Sequence, residues 1–346
     1  MDRYNPLFEL IWSRVRQFFR EPEAIFWTYG FPLLMVIGLG IAFRTKTEQT
    51  VPVAVVEGPQ ANELAGQLTR EGHFDVQVVA AEEAARQLRH SKVAVVLAAG
   101  SDAKLEYRFD PSSPEGRAAR AAVDDCLQRS GGRHDVLTVR DEEISIPGSR
   151  YVDFLVPGLI GLNLMGGGLW GVGFVLVDMR VRKLLRRLVA TPMRRRDFLL
   201  SMVGARSLFF IPEMLFLLVA SWLIFGIAIR GSVLAVLVIG FAGALSFAGL
   251  GLLAACRAQR IETISGIMNL VMLPMWLTSG VFFSSERFPE ILQPFIQALP
   301  LTQVNNALRA VMLEGAALSS QLLPMAVLAA WGGVSFWLAL RWFRWT

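Results

Sequence analysis

Residues able to make or break bonds are few in this chain, and their spacing joins none of them into a site. The 346 residues include three histidines (His73, His90, His134) and two cysteines (Cys126, Cys256). The histidines are scattered, with no HExxH pair, and two cysteines cannot build a disulfide framework or a cysteine-rich zinc module. None of the four lysines (Lys46, Lys92, Lys104, Lys183) ends a GxxxxGK[ST] phosphate loop, and no GxSxG elbow occurs. The chemistry left is electrostatic, and two features carry it. Residues 178–206 hold nine basic side chains against Asp178 and Asp197, a net +7 in a chain whose total is +5. Glu213 lies about one turn inside an apolar run, where a charged carboxylate at mid-span costs about 2.5–3.5 kcal/mol. It must therefore face protein, paired with an arginine such as Arg206, or titrate to neutral. One isolated acid does not make a proton relay, and the two halves of the chain show no inverted repeat.

The elements that position these groups are membrane-scale helices. The chain is 53% apolar and 18% charged, with a mean hydropathy of +0.45, whereas soluble domains carry about 25% charged residues. That balance excludes a soluble enzyme. A bilayer core needs roughly 20 apolar residues of helix, and six segments supply them: Ala24–Phe43, Phe154–Val177, Leu208–Ile229, Val233–Ala255, Ile264–Phe283 and Leu322–Trp342. The first is too long for a signal-peptide core and lacks a small-residue cleavage site. Basic residues concentrate before the first segment, in 178–206, after the fourth (Arg257, Arg260) and in the tail (Arg341, Arg344). The positive-inside rule then predicts that both termini and the arginine-rich loop are cytoplasmic.

The fold class expected is thus a polytopic α-helical membrane protein with six transmembrane helices and a small extracytoplasmic α/β domain between the first two. Residues 44–150 carry 14 basic and 17 acidic residues. They alternate strand-like runs (Val51–Glu57, Phe74–Val79, Val93–Ala98, Leu105–Phe109) with helical stretches (Gln60–Arg70, Glu82–His90, Pro114–Arg129). Pro114 suits a first helical turn. Leu7–Phe19 is amphipathic and predicts an interfacial helix over residues 1–23, with Pro22 marking the break before the first span. Residues 151–346 form the remaining five-helix domain, with a cytoplasmic loop over 178–206 and a re-entrant outer segment over 284–321. In the latter, Phe288–Ala298 is too short to cross and contains Pro289 and Pro294. Gly167 and Gly171 form a GxxxG pair that lets helix backbones approach, within the chain or between chains. Asp178–Leu188 reads as a basic helix ended by Thr191-Pro192. Held between two spans, it can convert a partner's rigid-body motion into helix tilt.

These residues resemble the membrane subunits of ABC-2 type ATP-binding-cassette exporters. Three stretches carry the likeness: Arg182-Lys183-Leu184-Leu185-Arg186-Arg187-Leu188 with Thr191-Pro192-Met193; Ser279-Gly280-Val281-Phe282-Phe283 with Phe288-Pro289; and Pro300-Leu301-Thr302 with Ala307-Leu308-Arg309. Tyr151–Gly158 resembles the family's entry to the second span. Many members carry an acidic-glycine-threonine-acidic pattern where this chain has Arg182, Lys183 and Arg186, a basic variant of the same segment.

The resemblance implies a permease without its own ATPase site, in the bacterial plasma (inner) membrane. Two copies of a separate ATPase subunit would bind ATP and Mg, and the permease would pair with a second chain as a homodimer in the lipid bilayer, without nucleic acid. Arg182, Lys183, Arg186, Arg187, Thr191 and Pro192 would couple to the ATPase. The first, second and fifth spans would line the route between protomers, with Gly167, Gly171 and Asn269 on that face. Phe282, Phe283, Phe288 and Pro289 would gate its outer end. The cargo implied is a hydrophobic or amphipathic molecule, drug-like or lipid. Without the resemblance, the residues also fit a membrane sensor or scaffold whose 44–150 domain binds a ligand.

Overall fold

The computed structural model describes residues 12–13, 16, 18–42, 50–70, 73–99, 105–133, 150–185 and 195–343. Most of the expected interfacial helix therefore lies outside the described residues. The chain divides into two compact units, Thr45–Ile144 and the two flanking segments together.

The smaller unit is a four-stranded sheet with helices on both faces. Its elements are β1 (Val51–Val56), α2 (Ala61–Arg70), β2 (Phe74–Val79), α3 (Ala81–Arg89), β3 (Val95–Ala99), β4 (Leu105–Arg108) and α4 (Pro114–Ser130). The strand order is β2-β1-β3-β4, with β1 parallel to both neighbours and β4 antiparallel to β3. The period-2 alternation of strands sorts the side chains. Val53, Val55, Val95 and Leu97 pack under Leu68, Val123 and Cys126 of α2 and α4, while Ala54 and Val96 meet Ala84 of α3 on the other face. Ser113 caps α4, its Oγ accepting from the Gly116 N–H at 3.1 Å, with Pro114 at the first helical position. Tyr107 of β4 donates to Asp124 of α4 at 3.1 Å. Burial, and then that carboxylate, push its phenol up to about 12.

The larger unit is helical. Its first helix, α1, runs without a break over 22–42 and includes a π-helical turn at Phe26–Gly30. Then come α5 (Tyr151–Val181), α6 (Arg195–Phe225), α7 (Val233–Ala255), α8 (Ile261–Thr278), two short helices α9 (Gln293–Ala298) and α10 (Pro300–Met312), and α11 (Leu322–Trp342). Five of these, α5 to α8 and α11, are long and apolar enough to cross a membrane; the apolar stretch of α1, Phe26–Ile41, is shorter. The helix α6 begins well before the expected Leu208 and stops at Phe225, because Gly226 takes φ +65. The helix α8 stops at Thr278, short of the expected Phe283.

Burial separates scaffold from periphery. The most apolar windows of α5 and α7 are 56% and 61% buried, against 22% for α8 and 17% for α11. The central pair approaches closely because small residues face each other. A Cβ added to Gly251 of α7 would sit 2.6 Å from the Gly168 carbonyl of α5, and one on Gly249 would sit 2.9 Å from the Gly332 carbonyl of α11. Such glycine contacts let van der Waals packing act between apolar helices. At the end of the bundle, the amides of Arg230 and Gly231 donate to Met312 and Val311, closing the C-terminus of α10 at 3.0 and 3.1 Å.

Overpacking at this contact should be measurable. Gly251→Ala is expected to cost about 1–3 kcal/mol and lower the thermal unfolding midpoint in detergent. Gly266→Ala, on α8 with nothing within 4 Å of an added Cβ, should leave the midpoint level or raised. Equal effects would contradict close α5–α7 packing.

Candidate functional site

Three polar constellations interrupt the apolar unit. The first is within α6. Arg206 and Glu213 lie about two turns apart and share a face. The guanidinium donates from Nη1 and Nη2 to the two carboxylate oxygens at 2.6 and 2.5 Å. Their side chains are 8% and 2% exposed. The sequence leaves pairing and neutralisation open for Glu213; the geometry is a fork-to-carboxylate pair, the form in which a buried charge is best compensated. The room comes from α5. A Cβ at Gly167 would fall on the Arg206 guanidinium, and one at Gly171 would lie 3.8 Å from Arg206 Cδ. So Gly167 is occupied inside the chain, while Gly171 is exposed. Two π-helical segments, Phe26–Gly30 in α1 and Leu169–Phe174 in α5, flank the pair. Such turns occur mostly as local bulges, often at functional sites. Tyr29 in the first lies within electrostatic reach of both charges and meets Phe216 of α6 edge-on, 5.3 Å between centroids.

The second constellation holds the turn after α8. Gly280 has φ +71, in the left-handed region that glycine takes without steric cost, and the helix ends there. Three side chains then take carbonyls of the turn. Asn305 Nδ2 donates to Ser279 at 2.9 Å, Arg309 Nη2 donates to Gly280, and Tyr151 Oη donates to Phe282 at 2.8 Å. Arg309 also reaches the Phe154 carbonyl from Nε and Nη2 at 3.3 and 3.2 Å, with its guanidinium 3.7 Å from the Phe154 ring centroid. Among the described residues no carboxylate pairs with it; carbonyls and an aromatic face compensate the charge. Of the residues expected to gate the outer end, Phe282 is half-buried against the core, and Phe283 meets Phe288 at 5.9 Å. Pro289 is exposed and precedes a 3-10 turn, Glu290–Leu292. Gln293 ties this segment down by donating to Ser285 and Phe288 at 2.9 and 3.0 Å.

The third is the start of the basic loop. The helix expected over Asp178–Leu188 is broken after Val181, where Lys183 takes φ 60, and helix resumes at Leu184 and Leu185, the last residues described there. The Arg182 and Lys183 amides close the turn on Asp178 and Arg180, at 2.9 and 3.0 Å. Arg182 is exposed and ion-pairs with Asp178 at 2.9 Å, and Leu185 is buried in the helical core. Arg186, Arg187, Thr191 and Pro192 lie outside the described residues. Arg180 turns inward, donating to the carbonyls of Ala255 and Cys256 at 2.9 and 3.2 Å and to that of Ala258. It thereby caps the C-terminus of α7. Asn269 is exposed on α8, apart from all three constellations.

Sequence reasoning gave no role to Arg180, Tyr151, Asn305 or Arg309. Arg309 carries a usable signal, as the one charged residue of α10. Among the described residues no group of three or more His, Cys, Asp or Glu could hold a metal ion.

Breaking the buried pair should be costly and removing it cheap. Glu213→Gln is expected to destabilise by about 3–5 kcal/mol because it strands Arg206, whereas the double variant Arg206→Met/Glu213→Met should recover most of that. Thermal unfolding in detergent reads both, and a double variant no better than the single one would contradict the pairing.

The ABC-2 family transporter protein family matches residues 22–341, from the first helix to the end of the last. A curated relative, ABC transporter G family member 20 of Dictyostelium discoideum, is 28% identical over 186 residues, covering 53% of this chain and 25% of the relative. The chain thus spans at most a small part of that relative's length in the match. With the family matched over nearly all of a chain whose described residues include five helices long and apolar enough to cross a membrane, this protein belongs to the ABC-2 family of transporter membrane components.

Proposed function

We propose that this chain is the membrane-spanning permease subunit of an ATP-driven exporter. It would move a hydrophobic or amphipathic molecule, drug-like or lipid, out of the cytoplasm or inner leaflet. In this reading the continuous helix α1 is a sixth crossing, since residues 22–42 span about 30 Å at 1.5 Å per residue. Both termini and the 178–206 loop face the cytoplasm of a bacterial cell, and residues 44–150 lie outside. Two ATPase subunits, which bind ATP and Mg, dock on the basic loops of two permease chains. The exposed faces of α1 and α8, including Asn269, then meet at the route between protomers.

One observation carries the reading. The described start of the basic segment, residues 178–185, is anchored: it leaves α5 through the Arg182–Lys183 turn and carries buried Leu185, while Arg180 joins the same helix end to α7. A partner that moves this segment therefore moves the two most buried of the membrane-length helices. Rigid-body input of that kind, rather than bond chemistry, is what a permease takes from its motor.

Reversing the exposed charges tests it. Arg182→Glu/Lys183→Glu is expected to abolish co-purification of the ATPase and reduce transport at least tenfold, with the permease's own thermal stability unchanged. Unaltered assembly and transport would reject the coupling role.

A further inference from the structure

We propose that Arg309 is the positioning residue of a latch: it pins the turn following α8 against α5 and α10, and its release frees that end of α8 to move. The proposal rests on the reading above for its consequence in transport; the latch itself is a property of the fold.

The turn is held by its backbone. The carbonyls of Ser279, Gly280 and Phe282 are each taken by a side chain from another element, Asn305 and Arg309 of α10 and Tyr151 of α5. Arg309 does more than the others, because one guanidinium straddles two elements, the Phe154 carbonyl of α5 and the Gly280 carbonyl of the turn. Its charge has no carboxylate among the described residues. It is compensated by its place at the C-terminal, negative end of α8 and over the Phe154 ring.

That compensation is local. The end-of-helix field fades within the last turn, so Arg309 is satisfied with the turn seated and loses an acceptor when it leaves. A Cβ on Gly280 would lie 3.1 Å from Arg309 Nη1, so the approach depends on glycine as much as the turn's φ does. Along its length α8 is held on one face only: Ile264, Met268, Met272 and Met275 are buried in the core, while Leu270, Leu273 and Leu277 face outward at 75%, 56% and 58% exposure, and the latched turn is the polar restraint at its end. Ser279 Oγ, Thr302 Oγ1 and Asn305 Oδ1 are buried at the same joint with no hydrogen-bond partner among the described residues.

Hydrogen–deuterium exchange on the purified full chain in lipid nanodiscs tests the latch without any need for transport. Arg309→Gln is expected to speed exchange at least tenfold in peptides covering residues 276–288, with α5 and α7 unchanged. Arg309→Lys, which keeps the charge but loses the fork, should fall between, and Tyr151→Phe should give a smaller increase at the same place. Should Arg309→Gln fail to fold, Tyr151→Phe and Arg309→Lys carry the test. Unchanged exchange in every variant that folds would overturn the latch, as would an increase spread evenly through α5 and α7. If the turn loosens as expected while efflux by the complex with its ATPase is unaffected, the latch stands and its place in transport falls.

Discussion

An apolar surround gives a charge no water, so every ionised side chain inside the helical unit must be answered by the protein itself. Much of the helical arrangement follows from how three arginines meet that demand. Arg206 is answered by a carboxylate on its own helix, Arg309 by carbonyls and a ring from two other elements, and Arg180 by the open C-terminus of α7. Each solution fixes a neighbour. The first requires Gly167 on α5, the second requires Gly280 and the turn it makes, and the third sets α5 beside α7. Hydrophobic contact alone would let apolar helices slide; these polar joints define where they stop.

The joints fall on different helices, and burial separates what they hold still from what they leave free. The helices α5 and α7 form the packed centre, while few residues of α8 and α11 are fully buried. The basic turn at Arg182–Lys183 feeds the packed centre, and the turn at Ser279–Phe282 restrains the loose end of α8. In the proposed transporter, force enters where the structure is stiff and motion appears where it is weakly held. The π-helical segments of α1 and α5 lie beside the Arg206–Glu213 pair; that of α5 buries Leu169, Val172 and Gly173, while that of α1 is exposed or half-buried.

Local pattern made much of this legible. The fourth apolar run was readable as Val233–Ala255, the bounds the helix has, because Ser232 and the Cys256–Arg257 break flank an uninterrupted apolar window. Glu213 could be matched with Arg206 because an acid in such a run needs an arginine within reach. What local pattern could not give were contacts set by distant residues. Gly167 reads as a GxxxG surface until Arg206 is seen lying on it. Lys183 reads as helix, since lysine favours helices, yet it takes the left-handed turn once Leu185 is drawn into the core. The strand runs stand out by their β-branched residues, but the order β2-β1-β3-β4 depends on crossovers with no local signature. Arg309 is visible as a lone charge, but its partners are backbone carbonyls, which have no side-chain identity to read.

The proposed coupling depends most on the side of the membrane that bears the basic turn. A single cysteine in place of Arg182, in a background with Cys126 and Cys256 replaced by serine, can be challenged with a membrane-impermeant maleimide. A cytoplasmic turn is expected to label in inverted membrane vesicles and not in intact cells. Labelling from outside intact cells would place the turn beyond the reach of a nucleotide-driven partner and contradict the proposed coupling.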